Sequence, residues 1–485
     1  MPFPRCKTKM RSASANLLLR ELSYRPFLVL LMVGLAIRVI VMVSYFPAIM
    51  LAFDSARYAR VDGQPMFSDY WMPAGYPFLL RLLRVVSREL WITIAVQHLI
   101  GLSVGVILFL TMRHLKVSRS VACLPASVAL LSGDHIYSEH IILADFLLTF
   151  LAAAGLSVAV FALAGGVRLR TLATASAILG TAALAKSVGL VLIPILALCT
   201  LCFATGKISD RMRTLVVALL PAVAVLAAYA AGCKLVKGKY LGLSDMRGWN
   251  VYSRVAPFAD CRRFSPPDGT AILCEQTVPA ERPGPFYYVW NTDSVARRHF
   301  PLGPKTGRQL GAFATQAILH QPFDYVRAVV IDLWRYVEPA TGRHWSYAGQ
   351  TDNTVTFGWR DPAVEQLVVP AMSRGYRGTE LRIYGQSLLN AYQQLFRLGG
   401  LILAALMILS IYGICRGRGP LHIAVVLFGL GAFGLYILPV ATLSYDFRYG
   451  LPPAPLMAVS GILGALCLWG DRLGRGGIPQ DPKVG

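Results

Sequence analysis

The chain has 485 residues, of which 55% are hydrophobic and only 15% charged, with a mean hydropathy of +0.54 and a formal net charge of +22. Such values lie outside the range of soluble globular domains and point to a polytopic membrane protein. The positive charge does not indicate a nucleic-acid partner, because the basic residues fall in short clusters between apolar runs, where they set orientation in a membrane.

In chain order, residues 1–26 form a basic, polar tail expected in the cytoplasm. The apolar run Phe27 to Tyr45 is long enough to span a bilayer, too long for a signal peptide, and is followed by no small-residue cleavage pattern. Arg38 lies inside it and is expected to face protein or to snorkel. The segment from Asp54 to Pro77, DSARYARVDGQPMFSDYWMPAGYP, mixes Asp54, Asp62 and Asp69 with Arg57, Arg60 and several aromatics. A plain connector needs only a few turn residues, so this stretch reads as an outer loop that carries chemistry. After it, Arg81, Arg84 and Arg88 recur at helical spacing in FLLRLLRVVSREL, as on the polar face of a helix lying on the membrane surface.

Further spans are expected at Leu90–Met112, Val121–Leu131, Ile141–Leu163, Thr171–Ala185, Ser187–Phe203 and Leu215–Gly232, then at Leu398–Cys415, Leu421–Pro439 and Leu451–Trp469. The fold class is therefore an all-α polytopic membrane protein of about ten transmembrane helices. Its parts are a module over 27–232 with outer loops 46–89 and 133–140, a mixed extracytoplasmic segment over 233–397 between helices seven and eight, C-terminal helices over 398–470, and a cytoplasmic tail over 471–485. The connectors around Arg113, Lys116 and Arg119, Val167–Arg170, Lys207–Arg213, Arg416–Arg418 and Arg472–Arg475 are all basic. The alternate connectors, 133–140, the turn at Lys186 and 444–450, carry few or no basic residues, the first outer loop with its five arginines being the exception; this places both termini in the cytoplasm of a multi-pass plasma-membrane protein and the loops of interest outside.

Within 233–397, Cys261 and Cys274 are the one close cysteine pair, and an oxidising exterior predicts a disulfide between them. Cys199 and Cys202 lie inside a span without partner ligands and read as apolar filler. The stretch ATQAILHQPFDYVRAVVIDLWRYVEP has helical periodicity and reads as a helix packed on the membrane, with an aromatic wall for a glycan or lipid as the alternative.

The outer side gathers ionisable groups. SGDHIYSEHIILADFLLTFL supplies Asp134, His135, Glu139, His140 and Asp145, the last already inside a helix, where a carboxylate is costly and a functional candidate by default. LAKSVGLVLIP supplies Lys186, and SYDFRYGLPPAP supplies Tyr445, Asp446, Arg448 and Tyr449. Such a set suits transfer of a group from a lipid-linked phosphate. An acceptor hydroxyl needs a carboxylate, Asp54 or Asp145, and a departing phosphate needs fixed positive charge, Lys186 and Arg448. The competing reading is that Asp145, Lys186 and Arg448 only neutralise one another as ion pairs.

An acid just after the first helix (Asp54), P-x-G-Y-P at Pro73, Gly75, Tyr76 and Pro77, an Asp opening ADFLLTFL, the Lys of AKSVGLVLIP and a late FRYGLPPAP together resemble the GT-C superfamily of polytopic glycosyltransferases. The branch they are most similar to is that of protein-mannosyltransferases and aminoarabinose transferases, which use polyprenyl-phosphate sugars. The resemblance implies that Asp54 is the general base, that Asp145 positions acceptor or base, and that Lys186 and Arg448 contact the carrier phosphate. It also makes Tyr58, Tyr76, Glu139, His140 and Tyr445 candidate substrate contacts. It implies a polyprenyl-phosphate-linked sugar as donor, a glycan, lipid or protein as acceptor, membrane lipids as surroundings, and inversion at the anomeric carbon. Metal use is left open: a divalent cation at Glu139 and His140 is compatible with the family, but the spacing offers no ligand set. The chain departs from the pattern in having Ser55, not a second acid, beside Asp54, and in carrying its large outer segment before helix eight. A transporter or flippase for lipid-linked substrates is the alternative. It is disfavoured by the lack of an internal repeat and by acids that gather in outer loops rather than at mid-membrane.

Overall fold

The computed structural model describes residues 20–51, 54–59, 65–67, 69–237, 242–338, 356–358 and 364–474. Arg60 and Asp62 of the first outer loop, and most of both tails, lie outside the described residues.

The apolar runs are helical. They are α1 (Arg25–Ser44), α2 (Leu90–His114), α3 (Arg119–Leu131), α4 (Asp145–Leu163), α5 (Leu169–Ala185), α6 (Leu192–Phe203, after a tight turn at Ser187–Val191) and α7 (Ile208–Lys237). Then come α8 (Gly400–Arg416), α9 (Gly419–Thr442) and α10 (Ala454–Gly474). Among the described residues six helices are long and apolar enough to cross a membrane, counting Gln386–Arg416 as one, and four apolar helices are shorter. This is a helical membrane protein. Its outermost helices show why: the exposed positions of α1 include Leu28, Val29, Met32, Val33, Leu35, Val39, Ile40 and Val43, apolar side chains that suit lipid and not water.

The bundle has an inside and an outside. About two-thirds of the apolar windows of α4 and α9 is buried, against 11% for α7, so α4 and α9 are central and α7 peripheral. In the N-terminal half α2 packs on α3 and α4, and α5 packs on α4 and α7; in the C-terminal half α10 packs on α8 and α9. The halves close on each other where α10 meets α3 and α9 meets α4 and α6. Small residues permit the tightest crossing: a Cβ on Gly461 would lie 2.7 Å from the Leu406 carbonyl oxygen. Beside it the Ser410 and Ser460 hydroxyls meet at 2.6 Å, so a polar pair is satisfied inside an apolar interface.

In its described residues the 233–397 segment carries helices, short 3-10 turns and the two-residue strand Arg382–Ile383, and it divides in two. Its first part builds a core from Trp249, Tyr252, Tyr288, Phe300, Leu310 and Phe313, with Trp71 of the loop that follows α1 packed against it. Cys261 and Cys274 are joined there by a disulfide. Its last part instead joins the loop that follows α1: Phe357, Val368, Met372 and Tyr376 share a core with Tyr45, Tyr58 and Tyr76. The one described sheet is a two-residue antiparallel pairing of Tyr45–Phe46 with Arg382–Ile383.

The periodic stretch ending at Glu338 is two helices, Pro304–His320 and Pro322–Val337, not one. Pro322 has no N–H to continue the ladder and restricts Gln321, whose side chain turns inward to accept from the Asp260 N–H and donate to the Phe258 carbonyl. The second of these helices leaves Phe323, Val326, Val330 and Trp334 exposed and sends Tyr336 inward. The basic helix of the first loop spans Gly75–Val86. It buries Tyr76 and Leu80 and exposes Phe78, Leu82 and Val85, while Arg84 lies over the Tyr376 ring at 5.7 Å.

Candidate functional site

Three stretches distant in sequence are brought together by backbone fit. Gly75, in the P-x-G-Y-P stretch, sits where a Cβ would overlap the Leu184 carbonyl, so the start of the loop helix rests directly on the end of α5. Lys186 follows that end in extended conformation, and the tight turn after it brings Gly189 so close to α5 that a Cβ would lie 2.8 Å from the Ala182 carbonyl oxygen. The third stretch is the turn Phe447–Gly450. Asp446 caps it by accepting from the Arg448 N–H at 2.9 Å.

These pieces place their charges side by side. Lys186 Nζ donates to Asp145 Oδ1 at 2.5 Å and stands 4.6 Å from the centre of the Tyr449 ring. The next residue back, Arg448, binds Asp446 through Nη2 at 2.8 Å and reaches Asp54 Oδ2 through Nη1 at 3.5 Å. Asp54 itself precedes the short helix Ser55–Ala59, where its carbonyl accepts from the Tyr58 N–H. Ser55, which stands where a second acid would, is fixed by accepting from the Leu51 N–H and donating to the Ile142 carbonyl.

Exposure differs sharply within the group. The side chains of Asp446 and Asp145 are 0% and 4% exposed, whereas Arg448, Lys186 and Asp54 are at 16%, 19% and 29%. The buried acids therefore anchor the two cations, and Asp54 is the carboxylate that a ligand can reach. Burial, then the carboxylates of Asp54 and Asp145, hold the Tyr58 phenol well above its ordinary range, so it stays a proton donor. Arg448 loses solvation by burial, but Asp446 and Asp54 keep it charged.

Tyr76 is fully buried; it donates to Gln97 Oε1 at 2.6 Å and props the Tyr58 ring edge-on at 5.1 Å, so it supports the wall without facing a ligand. Glu139 and His140 are turned into a closed network and are not directed at the Asp54 group. Glu139 takes two 2.7 Å bonds from Arg38 and one of 2.9 Å from His98, and His98 pairs with His140, whose other nitrogen meets the Tyr45 carbonyl at 2.6 Å. Arg38 thus faces protein. Burial resists ionisation of Glu139, but Arg38 and His98 hold its carboxyl below the usual range. His140 is pushed down to about 3, first by burial and then by His98. Tyr445 is held by its N–H to Asp332 Oδ2 at 3.0 Å and packs on Tyr336 at 4.8 Å.

His98, Gln97 and Asp332 were not singled out by the sequence. Each lies in an apolar or amphipathic helix, and its partner is distant in the chain, so no local spacing signals it. Among the described residues no group of three His, Cys, Asp or Glu side chains is placed to hold a metal ion. Glu139 and His140 have their polar atoms occupied by Arg38, His98 and Tyr45, and so do not fit a cation.

The architecture is that of a helical membrane protein with a charged cluster at one end of the bundle. No protein-family model matches the sequence, and no curated relative matches it. Among solved structures it is similar to the archaeal oligosaccharyltransferase AglB of Archaeoglobus fulgidus in complex with an inhibitory peptide and a dolichol-phosphate, at 13% identity and TM-score 0.45, over 94% of this chain and 52% of that one. The apo form of the Archaeoglobus fulgidus oligosaccharyltransferase is similar at 12% identity and TM-score 0.45, with the same coverage. The chain spans about half the length of these neighbours.

Proposed function

We propose that this chain is an integral membrane glycosyltransferase that moves a sugar from a polyprenyl-phosphate carrier to a glycan, lipid or protein acceptor on the extracytoplasmic side. The observation that carries this reading is Asp54, a partly exposed carboxylate 3.5 Å from Arg448, which itself neighbours the Lys186–Tyr449 pair.

In one displacement the acceptor oxygen gives its proton to Asp54 and forms a bond to the anomeric carbon. The bond from that carbon to the carrier phosphate breaks, and its electron pair leaves with the phosphate. Arg448 and Lys186 meet the charge that develops there, and attack opposite the leaving group inverts the anomeric centre. Asp145 and Asp446 hold the two cations in place. Arg448 is well suited to its role because its fork can keep Asp446 while its other nitrogen exchanges Asp54 for a phosphate oxygen.

The test is carrier-phosphate release from a panel of polyprenyl-phosphate sugars by the protein in lipid. Wild type is expected to release phosphate, and Asp54→Asn to lower the rate about 10²–10⁴-fold with the fold intact. Lipid movement between leaflets without bond cleavage would replace this reading with a flippase. Lys186→Ala is expected to weaken donor handling more than acceptor handling; equal effects would remove its assigned role.

A further inference from the structure

The turn that carries Arg448 is held from the side by a helix of the 233–397 segment. α9 ends at Thr442 and the turn begins at Phe447, so residues 443–446 link the two outside any helix. Helix Pro322–Val337 packs on α8 and α9 and supplies that link and its neighbours with partners. The Tyr325 hydroxyl donates to the Ala441 carbonyl at 2.9 Å, Asp332 Oδ2 accepts from the Tyr445 N–H at 3.0 Å, and the Tyr336 hydroxyl donates to the Asp446 carbonyl at 3.4 Å. Residues 325, 332 and 336 recur at helical spacing, so one face of the helix makes all three contacts. The Tyr336 ring closes the far end: a Cβ on Gly450 would lie 2.9 Å from it, and the glycine lets the ring rest on the turn.

Asp332 is the centre of this clamp. Its side chain is buried and held by two cations, Arg254 at Oδ2 and Arg335 at Oδ1 at 3.1 Å. One carboxylate thus ties helix Arg247–Val255, helix Pro322–Val337 and the approach to the turn. From Tyr445 the site is one residue away, because Asp446 accepts from the Arg448 N–H and binds Arg448 Nη2 at 2.8 Å. A functional side chain keeps its geometry only when the groups behind it are themselves fixed, and here the fixing group is Asp332.

We infer, resting on the phosphate role proposed above for Arg448, that helix Pro322–Val337 positions Arg448 for the carrier phosphate, with Asp332 as the principal positioning residue. Two effects of Asp332 have opposite signs. Its negative charge near the site disfavours a phosphate, so neutralising it would tighten binding if the field alone mattered. Its hold on the turn favours a phosphate, so losing the ion pairs that orient it weakens binding if position matters. Tyr325 carries no charge and acts through position only.

The test titrates farnesyl phosphate, a short polyprenyl monophosphate, into the full chain in lipid nanodiscs, with empty nanodiscs as baseline and a melting temperature for each variant. Wild type is expected to bind saturably, and Arg448→Gln, whose amide still donates to Asp446, about tenfold more weakly. Asp332→Asn and Tyr325→Phe are each expected to weaken binding about threefold to tenfold, and to add nothing further in the Arg448→Gln background. Tyr325→Phe removes a single hydroxyl, so it carries the test if Asp332→Asn lowers the melting temperature. No binding by wild type, or binding untouched by Arg448→Gln, would remove the phosphate role and the positioning role together. Weakening by Arg448→Gln, but unchanged or tighter binding in either folded positioning variant, or losses that add in the double variants, would overturn positioning alone and leave the phosphate role standing.

Discussion

The Arg38–Glu139 network and the Asp54–Arg448–Asp446 cluster are built from the same kinds of groups, and both fasten the loop that follows α1, but they differ in how they meet solvent. In the first, Arg38 is 1% exposed and Glu139 4%, and the donors of Arg38 that Glu139 does not occupy reach the carbonyls of Gly34, Ala129 and Leu130. Nothing remains for a ligand to bind. In the second, the acids at the back are buried, while Asp54 and Arg448 meet at 3.5 Å and retain solvent contact. An ion pair of that length is readily exchanged for another partner, and a closed bidentate one is not. Charge near a membrane thus has two uses here, and exposure separates them.

The strongest way to break that contrast is to open the closed network. Glu139→Ala leaves the Arg38 guanidinium buried and uncompensated, and is expected to destabilise the protein by about 3–5 kcal/mol. Thermal unfolding in detergent, followed by tryptophan fluorescence, measures it. The double variant Arg38→Met with Glu139→Leu removes both charges and is expected to recover most of the loss. A Glu139→Ala variant as stable as wild type would mean that the network is not structural.

How much of this could be read from the chain follows the same contrast. Lys186 and Asp145 stand out because each interrupts an apolar run, and a charge in such a place has few explanations. Tyr449 and Arg448 stand out with them in FRYGLPPAP. Glu139 and His140 carry the same signal and yet belong to the scaffold, because what distinguishes them is Arg38, 101 residues away, and sequence spacing does not reveal that pairing. The helices were legible from hydropathy, and the Cys261–Cys274 bridge from a separation of 13 residues. The division of the 233–397 segment was not, since Phe357, Met372 and Tyr376 look like any small core until their partners Tyr45 and Tyr58 are known.

Lys186 tests the intermediate case. Its removal leaves Asp145, whose side chain is 4% exposed, without its 2.5 Å partner. Lys186→Met is expected to cost about 1–3 kcal/mol of stability, less than the opening of the closed network, because Lys186 is itself part-exposed and water can enter. A chemical melt of both variants side by side ranks them, and the reverse order would erase the distinction between closed and open sets.

Acid sharpens the comparison from the other side. The His140 imidazole is held down to about 3 against an ordinary 6.5, so the unfolded chain takes up a proton there before the folded one does. The stability that the neutral ring contributes is complete above pH 6.5 and is lost as pH falls from there towards 3. The slope from this one group approaches about 1.4 kcal/mol per pH unit inside that window. Unfolding midpoints measured at several pH values should decline below 6.5, and His140→Asn should flatten that decline. An unchanged slope in the variant would show that His140 is not the group responsible.

The smallest effect is expected where the catalytic proposal is strongest. Asp54→Asn removes a carboxylate that is 29% exposed and only 3.5 Å from a guanidinium already held by Asp446 at 2.8 Å. Arg448 keeps its charge partner, so the change in unfolding free energy should stay below about 1 kcal/mol. A loss of several kcal/mol would mean that Asp54 is locked into the fold as Glu139 is, and an acid so locked is poorly placed to accept a proton from an incoming hydroxyl. A near-neutral melt combined with a lost reaction is the pattern that only a ligand-facing carboxylate produces.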